Sequence, residues 1–323
     1  MSKPIAVIAG EPNSISSEII FKSWLQRKKY IHKPFFIIGS SNILNLQKKK
    51  LKYNIKIKLI NKVLDTKQIK SNELPVFDID YYQKKAFTVL SSKSRPYILE
   101  CFYQAIKFVN EKKISGFINC PVAKEYLFKD KYQGVTEFLA KESKINVKEV
   151  MLIYNKKLSV SPVTTHIPLD TVSKKLKSKD IVSKVKTINY FYNRCLKKNP
   201  KFAILGFNPH NFSSKKKSVE KNVIKKAINT LKNNNINISG PIPTDSSFMN
   251  IEKKKFDVII GMYHDQVLTP FKALYNYNAI NITLGLPYIR ISPDHGIGED
   301  IKGKNIADPR SLIESIKFFN NIK

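Results

Sequence analysis

Short apolar runs alternate with longer amphipathic segments along most of the 323-residue chain. The first apolar run, from Pro4 to Ala9, has the length of a buried strand, and a turn at 10–14 leads into a helix predicted from about Ser16. The same pattern predicts further strands at 34–38, 115–120, 150–154, 158–163, 202–207, 258–262 and 280–284. It predicts helices at 94–113, 180–196, 219–233 and 309–320, and a helix start at Pro121. Strands that alternate with helices are typical of an α/β fold.

The formal net charge is +32, from 57 basic and 25 acidic residues, and such a balance first suggests nucleic-acid binding. Only five of the basic residues are Arg, whereas Lys is spread along the whole chain. Nucleic-acid recognition relies on clustered Arg, because the guanidinium group can bind phosphates and bases through paired hydrogen bonds. We therefore interpret the charge as a solvated surface. The Lys-rich stretches at 48–52 and 213–218 are expected to be exposed helix ends or loops.

Three cysteines, Cys101, Cys120 and Cys195, are too few and too widely spaced for a disulfide framework or a zinc knuckle. The N-terminal apolar run is shorter than the hydrophobic region of a signal peptide. No apolar stretch reaches the roughly 18 residues that a membrane-spanning helix needs. We therefore expect a cytoplasmic protein with no membrane partner.

Three of the five histidines each follow the end of a predicted strand: His166, His210 and His264. Because the carboxyl ends of strands form the ligand crevice of an α/β sheet, three imidazoles there could share one divalent cation. Three unrelated turn histidines with local hydrogen bonds would give the same pattern, and the residues alone leave both interpretations open. Asp265 and Gln266 follow His264 and could orient its ring or contact a substrate, although an Asp here could equally cap a helix.

A second group of polar residues lies near the C-terminus. Arg290 ends an apolar run beside a loop rich in Gly and Pro, and it draws attention because Arg is scarce in this chain. Together with Lys272 and Asn281 it could hold a phosphate or a carboxylate. A surface Arg that pairs with a nearby carboxylate is the alternative.

The loop from Asp294 to Gly303 combines glycines with acidic residues. Such a loop can approach a dinucleotide closely through Gly and can accept hydrogen bonds from a ribose through Asp. An ordinary turn explains the same residues. No Gly-x-Gly-x-x-Gly motif follows the first strand, so a standard Rossmann site is disfavoured.

Several of these motifs occur in the order found in 4-hydroxythreonine-4-phosphate dehydrogenases, and the resemblance extends from residue 5 to about residue 312. The matching segments are Gly10-Glu-Pro12, Asn119–Lys124, Gly134–Glu137, Thr164–Leu169, Gly206–His210, Gly240–Asp245, Met262–Gln266 and Asn281–Gly303. The resemblance implies a fold similar to isocitrate and isopropylmalate dehydrogenases, with two α/β lobes that share a mixed central sheet and an active-site cleft between them. One lobe would contain 1–115 and 270–323, and the other 116–269.

The resemblance also implies an activity. The chain would oxidise 4-phosphohydroxy-L-threonine with NAD or NADP and one divalent metal, Zn, Mg, Mn or Co, in the synthesis of vitamin B6. The product would then lose carbon dioxide. The resemblance further implies a homodimer whose active site takes residues from both subunits.

The resemblance assigns roles to individual residues. The metal ligands would be His166, His210 and His264. The substrate-binding positions would be Thr136, Lys272, Asn281 and Arg290, and the cofactor contacts would be His295, Gly296 and Asp300. Asp245 and Asp265 are candidates for the general base.

The chain departs from the family pattern at several positions. Val135 stands where the family usually has His, and this loses one potential phosphate donor. Residues 13–16, 211–213 and 297–298 also differ from the usual family residues. Val135 motivates one alternative, a dehydrogenase of the same fold for another phosphorylated hydroxy acid such as a tetronate 4-phosphate. A basic nucleic-acid-binding protein, suggested by the net charge, is an alternative of another class, and a metal-binding relative without catalysis is a third.

Overall fold

The computed structural model describes residues 3–30, 33–68, 70, 72–129, 131–132, 134–143, 149–211 and 218–322. The strands are β1 (Ile5–Ile8), β2 (Phe35–Gly39), β3 (Lys56–Leu59), β4 (Glu73–Asp78), β5 (Phe117–Asn119), β6 (Val150–Tyr154), β7 (Ser159–Pro162), β8 (Phe202–Leu205), β9 (Ile238–Ile242), β10 (Val258–Gly261), β11 (Ile280–Leu284) and β12 (Arg290–Pro293). The α-helices are α1 (Ser16–Gln26), α2 (Ser41–Lys50), α3 (Arg95–Asn110), α4 (Lys124–Phe128), α5 (Val135–Glu142), α6 (Leu169–Lys175), α7 (Ser178–Phe191), α8 (Lys225–Asn233), α9 (Thr244–Ser247), α10 (Ile251–Lys254), α11 (His264–Tyr275) and α12 (Arg310–Asn320).

The chain forms two compact units. The first contains Met1–Asn146 and Leu286–Ile322, and the second contains Val147–Gly285. The predicted lobes were bounded at 115/116 and 269/270, so 116–146 and 270–285 lie on the other side of the observed division. Strand pairing explains the difference, because β5 pairs with β1 and β11 pairs with β6.

The first unit has a parallel sheet with the order β3-β4-β2-β1-β5-β12. Every residue of β1 and β2 is buried, as expected for strands of a parallel sheet covered on both faces. Helix α3 packs against these two strands. Its apolar stripe joins Phe36, Phe117 and Phe138 in one core cluster.

The second unit has a mixed sheet with the order β11-β6-β7-β10-β8-β9. Strand β10 is parallel to both of its neighbours, β7 and β8, whereas β6 is antiparallel to β7 and β11. Helix α11 packs on β7 and β10 and contributes Val267 and Phe271 to the core of this unit. The parallel β7-β10-β8 segment brings three strand ends to the same edge.

The predicted α/β class is confirmed by this architecture, and the predicted strands lie within a few residues of the observed ones. The predicted helix start at Pro121 is wrong, because helical structure begins only at Lys124. Helix α7 continues as a π-helical turn to Leu196, and α8 is preceded by another π-helical turn at Glu220–Ile224. Of the predicted exposed stretch at 213–218, all but residue 218 lies outside the described residues. In the part of the chain that is described, every helix is too short or too polar to cross a membrane.

Candidate active site

The three predicted metal ligands follow the ends of the adjacent strands β7, β10 and β8 in the second unit. His166 lies in the loop after β7, and His264 is the first residue of α11, directly after β10. His210 lies in a short 3-10 turn at Pro209–Asn211 after β8. Since parallel strands share one carboxyl edge, this topology brings the three loops to one side of the sheet.

His166 and His264 lie close together. The centroids of their rings are 5.9 Å apart. Nδ1 of His264 is 2.6 Å from Oδ1 of Asp265, so the carboxylate holds that nitrogen and directs Nε2 to any external ligand. Asp265 thus contacts an imidazole, which is one of the roles predicted for it.

His210 has a different environment. Its side chain is 81% exposed, and its backbone is left-handed, with φ 51°. Nδ1 of His210 lies 3.6 Å from Oδ2 of Asp245, so the second predicted catalytic aspartate also faces a histidine.

These donors have the chemistry of a divalent-metal site, because imidazoles oriented by carboxylates bind zinc, cobalt and related ions. The geometry is only partly assembled. Among the residues described in the structure, no group of three or more His, Cys, Asp or Glu side chains is arranged to hold a metal ion. The structure therefore brings His166 to His264 and His210 to Asp245, but does not join the two pairs in one ligand set.

Two buried polar side chains contact the loops that carry the histidines: Gln266, which the sequence indicated only as a possible partner of the His264 ring or of a substrate, and Glu220, which the sequence did not indicate. Gln266 donates from Nε2 to the carbonyl oxygen of Gly206 at 2.7 Å and to Oγ1 of Thr244 at 2.9 Å. Glu220 accepts hydrogen bonds from the backbone N–H groups of Phe207 and Asn208. Such a supporting residue is marked by a carboxyl or amide side chain that is buried in a region rich in loops. A single sequence does not report burial, so this mark could not be recognised beforehand.

Lys272 and Asn281, two of the predicted substrate-binding residues, also belong to the second unit. Lys272 is exposed on α11. Asn281 is the second residue of β11, and its Oδ1 is buried without a hydrogen-bond partner among the described residues. Because an unpaired buried acceptor is costly, this oxygen is suited to receive a donor from a ligand.

Arg290 belongs to the first unit, where it begins β12 with only 3% of its surface exposed. The alternative of a surface Arg is therefore wrong. Its Nε donates to Oδ1 of Asn119 at 2.7 Å. Burial lowers the pKa of Arg290 to about 10, against the opposing effects of Tyr288 and Glu137, so the group stays charged at neutral pH.

Thr136, the remaining predicted substrate residue, is half-buried in the first turn of α5. The preceding Val135 is buried in the apolar cluster of the first unit with Phe117, Phe138 and Tyr288. The isopropyl group therefore fills core space at the position where the family usually carries an imidazole.

The predicted cofactor loop follows β12 in the first unit. Nδ1 of His295 is 3.0 Å from the carbonyl oxygen of Gly296. Apart from Gly296 and its two chain neighbours, none of the described residues has an atom within 4 Å of the place where a Cβ of Gly296 would be. Asp300 is exposed in a 3-10 turn. The N–H of Ile15, just before α1, donates to the carbonyl oxygen of Ile297, so the loop is fastened to the N-terminus of that helix.

Comparison with known proteins gives consistent matches over the chain. The model of the family described as pyridoxal phosphate biosynthetic protein PdxA matches residues 31–319. A 4-hydroxythreonine-4-phosphate dehydrogenase from a Sulfurihydrogenibium species is 37% identical over 97% of this chain and 96% of its own length. A relative from Oceanobacillus iheyensis, provisionally named D-threonate 4-phosphate dehydrogenase, is 32% identical over 97% of this chain and 96% of its own. The crystal structure of a 4-hydroxythreonine-4-phosphate dehydrogenase from Klebsiella pneumoniae superposes with a TM-score of 0.83 and 27% identity, covering 98% of each chain.

Proposed function

Because the chain belongs to the family described as pyridoxal phosphate biosynthetic protein PdxA, we propose that it oxidises 4-phosphohydroxy-L-threonine with NAD or NADP and a divalent metal. The product, 2-amino-3-oxo-4-phosphooxybutanoate, is a β-keto acid and loses carbon dioxide to give 3-amino-2-oxopropyl phosphate. The observation that carries the proposal is the placement of three histidines after adjacent parallel strands, two of them with rings 5.9 Å apart. We also propose a cytoplasmic homodimer.

The metal would be held by His166, His210 and His264. When bound there, a divalent metal would supply a Lewis acid that favours loss of the substrate's hydroxyl proton, and NAD or NADP would supply the hydride acceptor. Asp265 holds Nδ1 of His264 and so keeps Nε2 available for the metal. Asp265 and Asp245 are the candidates to accept the hydroxyl proton, since both carboxylates are exposed and lie beside a histidine.

The anionic groups of the substrate need fixed positive charges and hydrogen-bond donors. Arg290 supplies a buried guanidinium whose orientation is fixed by Asn119. Thr136 and Lys272 would supply a hydroxyl and an ammonium group. Asn281 Oδ1 supplies a buried acceptor, which suits the substrate's amine.

The cofactor would contact the loop after β12. Gly296 leaves open space where a side chain would otherwise lie, and Asp300 is exposed and can accept hydrogen bonds from ribose hydroxyls. His295 would line the same loop. The cofactor assignments are supported by the resemblance of this loop to the loop of the family, by the open space at Gly296 and by the exposure of Asp300.

The decisive experiment measures NADH formation from 4-phosphohydroxy-L-threonine before and after treatment with a chelator. We expect turnover to disappear on chelation and to return with zinc, cobalt, manganese or magnesium. Turnover that survives complete removal of metal would contradict the role assigned to the histidines. Metal binding without turnover on any phosphorylated hydroxy acid would instead indicate a relative that has lost catalysis.

Val135 favours a second candidate, a dehydrogenase for another phosphorylated hydroxy acid such as D-threonate 4-phosphate. A valine removes one potential contact to the phosphate end, and the relative from Oceanobacillus iheyensis carries that name. The kcat/KM values for the two substrates, measured with the same metal, separate the candidates. A higher value for the tetronate phosphate would replace the first proposal.

A further inference from the structure

The loop that carries His210 is held in an unusual conformation. His210 and Asn211 are consecutive left-handed residues, with φ of 51° and 56°. Side chains other than Gly adopt this region at a cost and keep it only when their surroundings fix it. Because the imidazole itself is 81% exposed, the restraint must act on the backbone rather than on the ring.

Glu220 provides the first restraint. This residue is 1% exposed at the start of the π-helical turn that precedes α8. Its Oε1 accepts from the N–H groups of Phe207 at 3.2 Å and Asn208 at 2.7 Å, and both carboxylate oxygens accept from Nδ2 of Asn208. A buried carboxylate is tolerated when its oxygens are satisfied, and here the loop backbone satisfies them. The loop is therefore tied to a helix two residues before His210.

Gln266 provides the second restraint. It is 5% exposed, two residues after His264, and its Nε2 donates to the carbonyl oxygen of Gly206, which begins the same loop. The same nitrogen donates to Oγ1 of Thr244, next to the Asp245 that faces His210. One amide group thus connects the ends of β8 and β9 to the start of α11.

The network continues to the third histidine loop. Oε1 of Gln266 accepts from the N–H of Met262 at 2.6 Å. The carbonyl oxygen of Met262 accepts from both N and Oγ1 of Thr164, at 3.2 and 2.8 Å, in the loop that carries His166. The Met262 residue is therefore fixed on both sides, by Gln266 and by Thr164.

We propose that Glu220 and Gln266 are positioning residues that fix the three histidine loops before any metal binds. This inference rests on the proposed metal role of the histidines. Both side chains are buried and act through the backbone of the loops, so their effect should appear in metal affinity and in loop protection. Partners that orient metal ligands change affinity by about 10–100-fold when they are removed.

The first test compares Glu220→Ala with Glu220→Gln in the metal-free protein and in a titration with Co²⁺. For Glu220→Ala, we expect faster hydrogen exchange of the Phe207 and Asn208 amides and Co²⁺ binding about 10–100-fold weaker. Glu220→Gln keeps an acceptor oxygen, so exchange and affinity should stay within a few fold of the wild type. Asn208→Ala, which keeps the backbone N–H groups, gives a partial effect and serves if Glu220→Ala does not fold.

The second test compares Gln266→Leu with Gln47→Leu. Gln47 is also buried and donates from Nε2 to two loop carbonyls, those of Pro12 and Ala86, but it lies in the first unit. Both variants should lower the free energy of unfolding, whereas only Gln266→Leu should weaken Co²⁺ binding. Equal affinity losses in both would show a general loss of stability and would overturn the positioning role.

The outcomes also separate this inference from the function on which it rests. If the wild-type protein does not bind Co²⁺, the proposed metal function fails, and the positioning role fails with it. If the wild type binds Co²⁺ while Glu220→Ala and Gln266→Leu bind it equally well, only the positioning role is wrong. Unchanged exchange of the Phe207 and Asn208 amides in Glu220→Ala would show that the carboxylate does not fix the loop.

Discussion

The histidine loops of the second unit and the Arg290 region of the first unit are built in opposite ways. Arg290 is buried at the start of a strand, and its Nε donates a hydrogen bond to Oδ1 of Asn119 that helps to fix its guanidinium. His210 lies in a loop with an exposed ring, and buried residues restrain only the backbone that carries it. Under the proposed function, the charge that binds the substrate would be enclosed by the fold, whereas the ligands of an exchangeable ion would remain accessible, with buried residues restraining the backbone that carries them.

This difference predicts how activity responds when each region loses a key side chain. Loss of Arg290 removes a preformed charge and leaves a buried acceptor on Asn119 without its donor, so no added ion should restore it. Loss of one histidine weakens a binding equilibrium, which a higher metal concentration can oppose. Rescue by metal is therefore the measurement that distinguishes the two regions.

The largest effect is expected for Arg290→Met. We expect kcat/KM to fall by about 1,000-fold or more, because a buried charged hydrogen-bonding group contributes roughly 1.5–3 kcal/mol per hydrogen bond and would form several with an anionic substrate. Raising the metal concentration should not restore activity. Arg310→Met is the matched control, since Arg310 forms an exposed ion pair with Asp308 and its loss should change stability by less than about 1 kcal/mol.

Metal-dependent rescue of Arg290→Met would contradict the assignment of that residue to substrate binding. A fall in kcat/KM for Arg310→Met as large as for Arg290→Met would show that overall charge matters, and not the buried site.

The next largest effect is expected for His264→Ala. We expect the metal concentration needed for half-maximal activity to rise by at least about 100-fold, since removal of a ligand should exceed the effect of removing its outer partner. Excess metal should restore part of the turnover. Titration of activity with Mn²⁺ or Co²⁺ measures the shift. An unchanged metal requirement would show that His264 does not bind the ion. The two regions would then not differ in their response to added metal.

A smaller effect is expected for Asp265→Asn. The carboxylate holds Nδ1 of His264 at 2.6 Å, and an amide can present its nitrogen to the ring and favour the wrong tautomer. We expect metal affinity to fall by about 10–100-fold. If kcat falls far more than the metal affinity, Asp265 acts as the general base rather than as an orienting partner. The pH profile of kcat at saturating metal distinguishes these two roles.

Much of this comparison could be predicted from the sequence. The apolar runs that end before His166, His210 and His264 are strands, and their parallel pairing brings the three loops to one edge. Arg290 stood out because Arg is rare in this chain. Local patterns were informative in both regions because a strand and its end are encoded by consecutive residues.

The supports behind these residues could not be predicted. Gln266 contacts Gly206 and Thr244, which are 60 and 22 residues away in the chain, and no local pattern reports such contacts. Strand β3 was also missed, because it is an exposed edge strand of only four residues, too short for its Lys/Ile/Leu alternation to give a clear signal. The burial of Arg290 depends on packing around β12, whose four residues are too few to give a periodic signal.

The smallest effect concerns Glu11, a buried carboxyl in the first unit whose environment contrasts with that of Arg290. Burial raises the pKa of Glu11, although hydrogen bonds from the Asn13 N–H and the Ser94 hydroxyl oppose the shift. Since the folded protein then binds a proton that the unfolded chain has released, the stability contributed by this group falls as pH rises above 4.5, the ordinary value. Glu11→Gln mimics the neutral form, so its stability relative to wild type should be greater at pH 7 than at pH 4, and this is the smallest of the effects expected here. Urea unfolding at the two pH values measures this change. A difference in unfolding free energy between variant and wild type that is independent of pH would show that the pKa of Glu11 is not raised in the folded protein. A relative loss of stability of Glu11→Gln as pH rises would show that the carboxylate is stabilised by its hydrogen bonds and by Lys302, so that the first unit encloses a negative charge as well as that of Arg290.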